Sequence, residues 1–544
     1  MEKKKFWMKK HHFNWNMRFF IAIFSLGILS IQYLHCQNFV SYSNQEIEEA
    51  DIYVKGNLYQ KDFLLFMDLL KKSHPAFALE SEPPFNIDAV TQTGYQWADS
   101  CRSMRSFWCR IQQIAALIND GHTTLIPEVN MNMIYPVVLF LDNEGVYVRG
   151  INEEYKDCLG KKISHFNGHT VKTVFDSFRN LISSDNIVYS ENKFVDFIQL
   201  LSMWEYTPYC SPDSVLHITF TDNTNVSMPP IGKDKIKIAM QEASAGYKTI
   251  RQKSKTPFHY NIVKEKRICY FQFNSCIDQN SVRRQYLARY PNMSTDKLEE
   301  LVSHFPIFDN FLGEMFETIR RDSITTLVID VRDNTGGDSS LCDILLSRLK
   351  SFEDIKHIHS YTRFSELWKR NYPVWAAEYE KAFAKLQQPF EMGKLYDNYS
   401  FPLSPSEHEQ ENSFLIKENV NSIFKGNIVF IQNAKTYSSA GMLITVAHDN
   451  SIGITIGEES SYKPCSYGDL LAWQLPNTKL KGYVSHKVFV RPDTDKCSES
   501  SLIPTVHLHS KWEDVLKGKD ICWEWVLNKY GTNSGCSKAN NSKE

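Results

Sequence analysis

Between residues 256 and 530, short apolar runs alternate with helical patterns, and few arrangements of a chain satisfy that rhythm. Cys269 to Phe273 and Leu327 to Val331 read as buried strands, and Ile428 to Ile431 and Ile452 to Ile456 as two more. A helix predicted over Phe308 to Ile319, opening just after Pro306, separates the first pair. Another over Ser439 to Ala447 separates the second. Apolar strands joined by helices are covered on both faces, so the region is expected to form a parallel or mixed α/β sheet.

The flanking segments read differently. Phe63, Phe66, Met67 and Leu70 recur at helical spacing until His74-Pro75, where proline disfavours continuation. Phe107, Ile111, Ile114, Ala115 and Ile118 share one face of a second helix. Asn119-Asp120-Gly121 closes it, with Gly121 suited to the left-handed cap, so His122 falls just past a helix terminus. From Tyr135 to Pro230 the chain turns to short extended runs broken by Gly150, Gly160 and Asn167-Gly168, the pattern of a small, mostly-β domain. A polar stretch around Ala243 to Lys255 reads as a linker, and Phe364 to Glu411 as an aromatic, charged helical insertion. The small polar residues after Tyr530 are expected to be disordered.

Charge and cysteine content narrow the function. Lys plus Arg number 61 and Asp plus Glu 63, a formal net charge of -2, which gives nothing to draw the chain to nucleic acid. At the amino terminus, basic residues precede a 16-residue apolar run from Phe19 to Leu34, shorter than the roughly 20 residues that cross a bilayer comfortably. Residues 1–36 therefore read as a secretory signal, with Met17 as a second candidate initiator. The protein is expected to be exported to a periplasm, a cell surface or the medium. Any membrane contact is confined to that segment, kept as an uncleaved anchor or a lipid on Cys36. The remaining 11 of the 12 cysteines show neither a C-x-x-C pair nor zinc spacing, so no structural metal is expected. Cys497 with Cys522, Cys101 with Cys109, or buried free thiols remain open readings.

Three local patterns carry chemistry. Asp330-Val-Arg-Asp-Asn-Thr-Gly-Gly337 is a strand running into a turn whose paired glycines let backbone N–H groups approach a carbonyl oxygen. Thr436-Tyr-Ser438-Ser-Ala-Gly441 places a serine between a strand and a helix, where free N–H groups and the positive helix end converge. Asp120-Gly-His122-Thr sets a histidine on a post-helical loop. Taken singly, each has a plainer reading: a tight turn, an N-cap, a structural histidine.

In this order, followed by Ile456-Gly-Glu458, the three resemble the tail-specific, or carboxyl-terminal-processing, serine proteases, whose relatives include the tricorn core and interphotoreceptor retinoid-binding protein. The resemblance implies a ClpP/crotonase-like core over residues 256–530 and an amino-terminal helical cap over 45–130. It also implies a diverged PDZ-like domain over 131–235, carried by Gly160-Lys-Lys-Ile-Ser-His-Phe-Asn-Gly168. Tyr467-Gly-Asp469, Leu475-Pro-Asn477 and Gly518-Lys-Asp520 resemble the family's late landmarks.

The resemblance makes Ser438 the nucleophile, and Ser439 with Gly336 or Gly337 the oxyanion hole. It offers two bases, Lys463 after the Gly-Glu pair or His122 in the first loop. A lysine near 10.4 must fall by about 3 units to act at neutral pH, roughly 4 kcal/mol of desolvation, whereas a histidine near 6.5 needs almost none, which favours His122. Glu458, Asp120 and Asp493 are candidates for the acid that orients it. The implied activity is cofactor-free endopeptidase cleavage of unfolded proteins or peptides through an acyl-enzyme. The implied alternative is an inactive descendant that binds a peptide or an apolar ligand.

Overall fold

Six strands make the central sheet, in the order Phe258–Val263, Ile268–Phe273, Thr326–Asp330, Asn427–Gln432, Ile454–Gly457, Val506–His507. The first pair is antiparallel and every later pair parallel. The computed structural model describes residues 39–41, 56–79, 83–127, 130, 133–244, 249–253, 256–290, 292–398 and 423–531. The expected signal segment, most of the polar tail and the later part of the 364–411 insertion lie outside them.

Two strands of the sheet, Ile268–Phe273 and Thr326–Asp330, are buried at every position. Their side chains divide by the period of two. Phe271, Phe273, Leu327, Ile329 and Phe430 pack with the helices Phe308–Arg321, Ser340–Leu346 and Ser439–Asp449 on one face. Tyr270, Val328, Val429 and Ile431 pack with Cys522, Trp523 and Val526 of the helix Ile521–Tyr530 on the other. This is the mixed α/β sheet that the alternation predicts, covered on both faces.

A second sheet stands beside it, in the order Val40–Ser41, Ser466–Gln474, Lys481–Val490, His359–Arg363, Leu395–Asp397. The short strand Thr124–Leu125 also joins Lys481–Val490, pairing with Gly482 and Tyr483. Residues just after His122 are thereby fastened to the core. The helix Leu58–Ser73, opened by a capping box on Asn57, is tied to the same region through Asp62. Its fully buried carboxylate accepts from the backbone N–H groups of Asn477 and Thr478 and from Asn477 Nδ2.

The third sheet has seven strands, running from Val137–Asp142 to Ile238–Met240. The expectation of a mostly-β segment needs correction here, because three helices, Val171–Arg179, Ile187–Phe197 and Leu201–Glu205, fall inside it. A small sheet has an apolar face to bury, and Phe194 and Trp204 from these helices cover Phe166, with Phe178 packed against both. The insertion after Phe364 is helical as expected over Glu366–Asn371 and Pro373–Lys385.

The cysteine pairings also need correction. Cys465 bonds to Cys497, while Cys101, Cys109 and Cys522 are free thiols. The strand hairpin explains the choice: Ser466 pairs with Phe489, which brings the residues on either side of the hairpin ends together.

Candidate active site

Ser438 lies between the strand Asn427–Gln432 and the helix Ser439–Asp449, at the N-cap position, but it does not cap. Its side chain makes no capping hydrogen bond, and its backbone sits at φ 51°, ψ -128°, a conformation that side-chain-bearing residues rarely adopt. Strain of this kind costs about 1–3 kcal/mol and persists only where neighbours impose it. The neighbours are specific: Thr436 Oγ1 donates to the Val331 carbonyl at 3.0 Å and Tyr437 N to the Asn334 carbonyl at 2.9 Å, which pins the turn to the adjacent strand end. The hydroxyl meets the imidazole instead, with His122 Nε2 3.2 Å from Ser438 Oγ.

The paired glycines lie against the same turn. Gly336 (φ 100°) and Gly337 (φ 137°) are both left-handed. A Cβ on Gly336 would come 2.7 Å from Ser438 Cβ and 2.9 Å from Ser439 N, so only glycine fits this approach. Gly336 N donates to Asn334 Oδ1 at 2.9 Å, and Ser439 Oγ donates to the Gly337 carbonyl at 2.7 Å. Gly337 N has no intramolecular acceptor among the described residues, and Ser439 N, in the first turn of its helix, has no intrahelical one. Those two donors flank the serine at the positive end of the helix.

On the other side, Asp120 is fully buried at the centre of a hydrogen-bond cluster. Its Oδ1 accepts the His122 backbone N–H at 3.0 Å and lies 3.4 Å from Nδ1 of the ring. Its Oδ2 accepts from Thr123 Oγ1 and Ser485 Oγ, each at 2.6 Å, and lies 3.2 Å from His74 Nε2. Burial opposes its charge, yet the hydrogen bonds from His122 and His74 hold the carboxyl well below the usual carboxylate range. Desolvation likewise opposes a charge on His122, but the hydrogen bond and charge of Asp120, with the charges of Asp185 and Asp469, raise it above its ordinary 6.5.

Several predicted site residues thus converge and others do not. Ser438, His122, Asp120, Ser439, Gly336 and Gly337 form one site. Lys463 makes no hydrogen bond or ion pair to Ser438 or His122. Glu458 is engaged elsewhere, accepting from Ser510 N at 3.1 Å and lying 3.8 Å from His509 Nδ1, and Asp493 pairs with Lys496 at 2.8 Å.

Gly121 corrects another expectation. The helix is Met104–Ala116, and the left-handed residue after it is Asn119 (φ 56°). Glycine at 121 answers a spatial need, since a Cβ there would lie 2.6 Å from the Tyr437 hydroxyl.

The sequence reading missed Tyr437, Asp185 and His74. Tyr437 Oη lies 3.1 Å from His122 Nδ1, and the two rings stack with centroids 4.8 Å apart. The adjacency of Tyr437 to the serine in Thr436-Tyr-Ser438 was the one signal available for it. Asp120, His122 and Asp185 offer one donor atom each within 4.8 Å of one another, the only convergence of metal-ligand types among the described residues. Both nitrogens of His122 already face hydroxyls.

Residues 301–468 match the model of peptidase family S41. No curated protein sequence matches the chain. Among solved structures, mature CPAF superposes over 87% of this chain and 98% of its own, at 12% identity and a TM-score of 0.56. Mature CPAF complexed with lactacystin gives 87% and 97%, 12% and 0.55. The photosystem II D1 C-terminal processing protease covers 88% and 98% at 12% identity, with a TM-score of 0.40.

Proposed function

We propose, from the premise that this chain is a serine peptidase of the S41, tail-specific, family, that it is an endopeptidase in which Ser438 attacks the amide carbonyl and His122 is the base. The observation that carries this reading is the 3.2 Å contact between Nε2 of His122 and a serine hydroxyl that is strained out of its capping role. His122 takes the hydroxyl proton as Oγ bonds to the carbonyl carbon, and the carbonyl oxygen, now an anion, is received by the N–H groups of Gly337 and Ser439. Collapse of this intermediate expels the amine, protonated by the imidazolium. Water repeats the sequence on the acyl-enzyme. Asp120, shielded from solvent, orients the imidazole and balances its charge. Gly336, whose N–H is given to Asn334, contributes room for the turn.

Export and a preference for unfolded substrate belong to the same proposal. The disulfide Cys465–Cys497 supports an oxidising compartment, and among the described residues no helix is long and apolar enough to cross a membrane. The seven-stranded sheet offers a scaffold for an extended peptide.

Casein turnover and covalent labelling by a serine-directed phosphonate test the reading. Ser438→Ala is expected to lose both, and His122→Ala to lose turnover by about 10²–10⁴-fold. Lys463→Ala is expected to keep substantial activity. A lysine variant that is dead while the histidine variant turns over would reverse the choice of base.

A further inference from the structure

His122 can accept the serine proton on Nε2 only if Nδ1 carries the other ring proton, so whatever receives the Nδ1–H fixes the working tautomer. Asp120 is a crowded receiver. Its two oxygens are shared among the His122 backbone, Thr123, Ser485 and His74, and it stands 3.4 Å from Nδ1. The Tyr437 hydroxyl is closer, at 3.1 Å, with its ring stacked on the imidazole. A phenol that accepts from Nδ1 must send its own proton elsewhere. Asp185 is the group placed to receive it: it is buried, its Oδ1 is held by Gly121 N at 2.7 Å, and its Oδ2 is buried with no hydrogen-bond partner. One of its oxygens lies within 4.8 Å of the His122 and Asp120 donor atoms.

We propose that Tyr437 is a positioning residue that bridges His122 to a second carboxylate, Asp185, so that the base is held in its working tautomer by two acids. In this arrangement Nδ1–H donates to Tyr437 Oη, and Oη–H turns to Asp185 Oδ2, the acceptor that the structure leaves without a partner. When the serine proton reaches Nε2, no proton passes through the phenol, and Asp185 balances part of the imidazolium charge. The surrounding charges agree with these roles. Burial, with Asp185, Tyr189 and Asp120 nearby, raises Tyr437 far above neutrality, so it stays a donor. Burial and the Asp120 charge push Asp185 up to about 6, while His122, Gly121 N and Tyr437 act to lower it, and it is ionised at neutral pH. Asp469 is the further acid acting on His122. Gly121, which leaves room for the phenol, completes the arrangement.

This inference rests on the peptidase reading for its catalytic meaning, so its test has two readouts besides turnover. Tyr437→Phe, Asp185→Asn and the double variant are compared with the wild type by casein kinetics across pH, by thermal melting, and by the NMR titration of the ¹³C-labelled His122 ring. Tyr437→Phe leaves Asp120 to hold the ring and is expected to lower kcat about tenfold with little change in KM. Asp185→Asn turns the acceptor into a donor, reverses the phenol and favours the proton on Nε2, a loss of roughly 10²-fold. The double variant is expected to recover to the Tyr437→Phe level, because the misdirecting hydroxyl is gone. The His122 titration is expected to fall in both single variants. Unchanged kcat–pH profiles and an unchanged His122 titration in folded single variants overturn the bridge, as does a double variant worse than Asp185→Asn. If Asp185→Asn does not fold, the Tyr437→Phe titration decides alone. A wild type that neither cleaves nor labels, yet whose His122 titration shifts in the variants, defeats the peptidase reading and leaves the bridge standing.

Discussion

At the scale of single residues, the site works by conflict between burial and charge. His122 is raised above 6.5, and a base must be neutral to act, so kcat/KM is expected to fall on acidification with its midpoint above pH 6.5. A midpoint near 5, measured in the wild type, would contradict that environment. Asp185 has the opposite consequence for stability. Its carboxyl is raised from 3.8 to about 6, so the folded state binds its proton more tightly than the unfolded state does, and stability is lost as pH rises through that window. The loss amounts to roughly 3 kcal/mol, and Asp185→Asn, which does not titrate, is expected to escape it. Denaturant unfolding at pH 4 and pH 7 checks this as a smaller decrease in the variant. Gly336→Ala forces a Cβ into the serine turn at φ 100° and is expected to lower kcat by about 10²–10³-fold while the melting temperature changes modestly.

Among elements, the helix Leu58–Ser73 has more influence on the site than its distance in sequence suggests. Asp62 ties it to Asn477 and Thr478, and the His74 that closes it meets Asp120. Asp62→Ala leaves buried N–H groups unpaired, an expected loss of about 3 kcal/mol by chemical denaturation. The spacing of Phe63, Phe66, Met67 and Leu70 made this helix legible, because an amphipathic face is a local property. The helices inside the third sheet were missed although Val171, Val174, Phe175 and Phe178 follow helical spacing. The Asn167-Gly168 turn just before them closes a true hairpin, so strand and helix signals adjoin there. Ser438 shows the same limit from the other side. Its place at a helix entrance followed from sequence, but its refusal to cap came from Thr436 and Tyr437 fastening the turn to residues about a hundred positions earlier.

For the molecule as a whole, the serine and histidine proposed to react lie 316 residues apart in sequence and 3.2 Å apart in space. Their approach depends on the second sheet, where Thr124–Leu125, just after His122, joins Lys481–Val490. The disulfide Cys465–Cys497 braces one end of that sheet and closes a separation of 32 residues. Cys465→Ser with Cys497→Ser is expected to cost roughly 3 kcal/mol, read as a lower Tm that reductant reproduces in the wild type. Sequence by itself determined the parts that depend on neighbours along the chain: the buried strands, the helices between them, the turn with paired glycines, and a serine and a histidine set at element ends. It could not decide between His122 and Lys463 except by desolvation cost, nor choose among Asp120, Glu458 and Asp493. Only the tertiary structure brought Tyr437 and Asp185 beside the imidazole and sent Glu458 to Ser510 and His509 instead. The reason is physical: helix and strand periodicity is written within a few residues, whereas a proton's acceptor is chosen by hydrogen-bond distances between segments that meet only when the sheets and the cap close together.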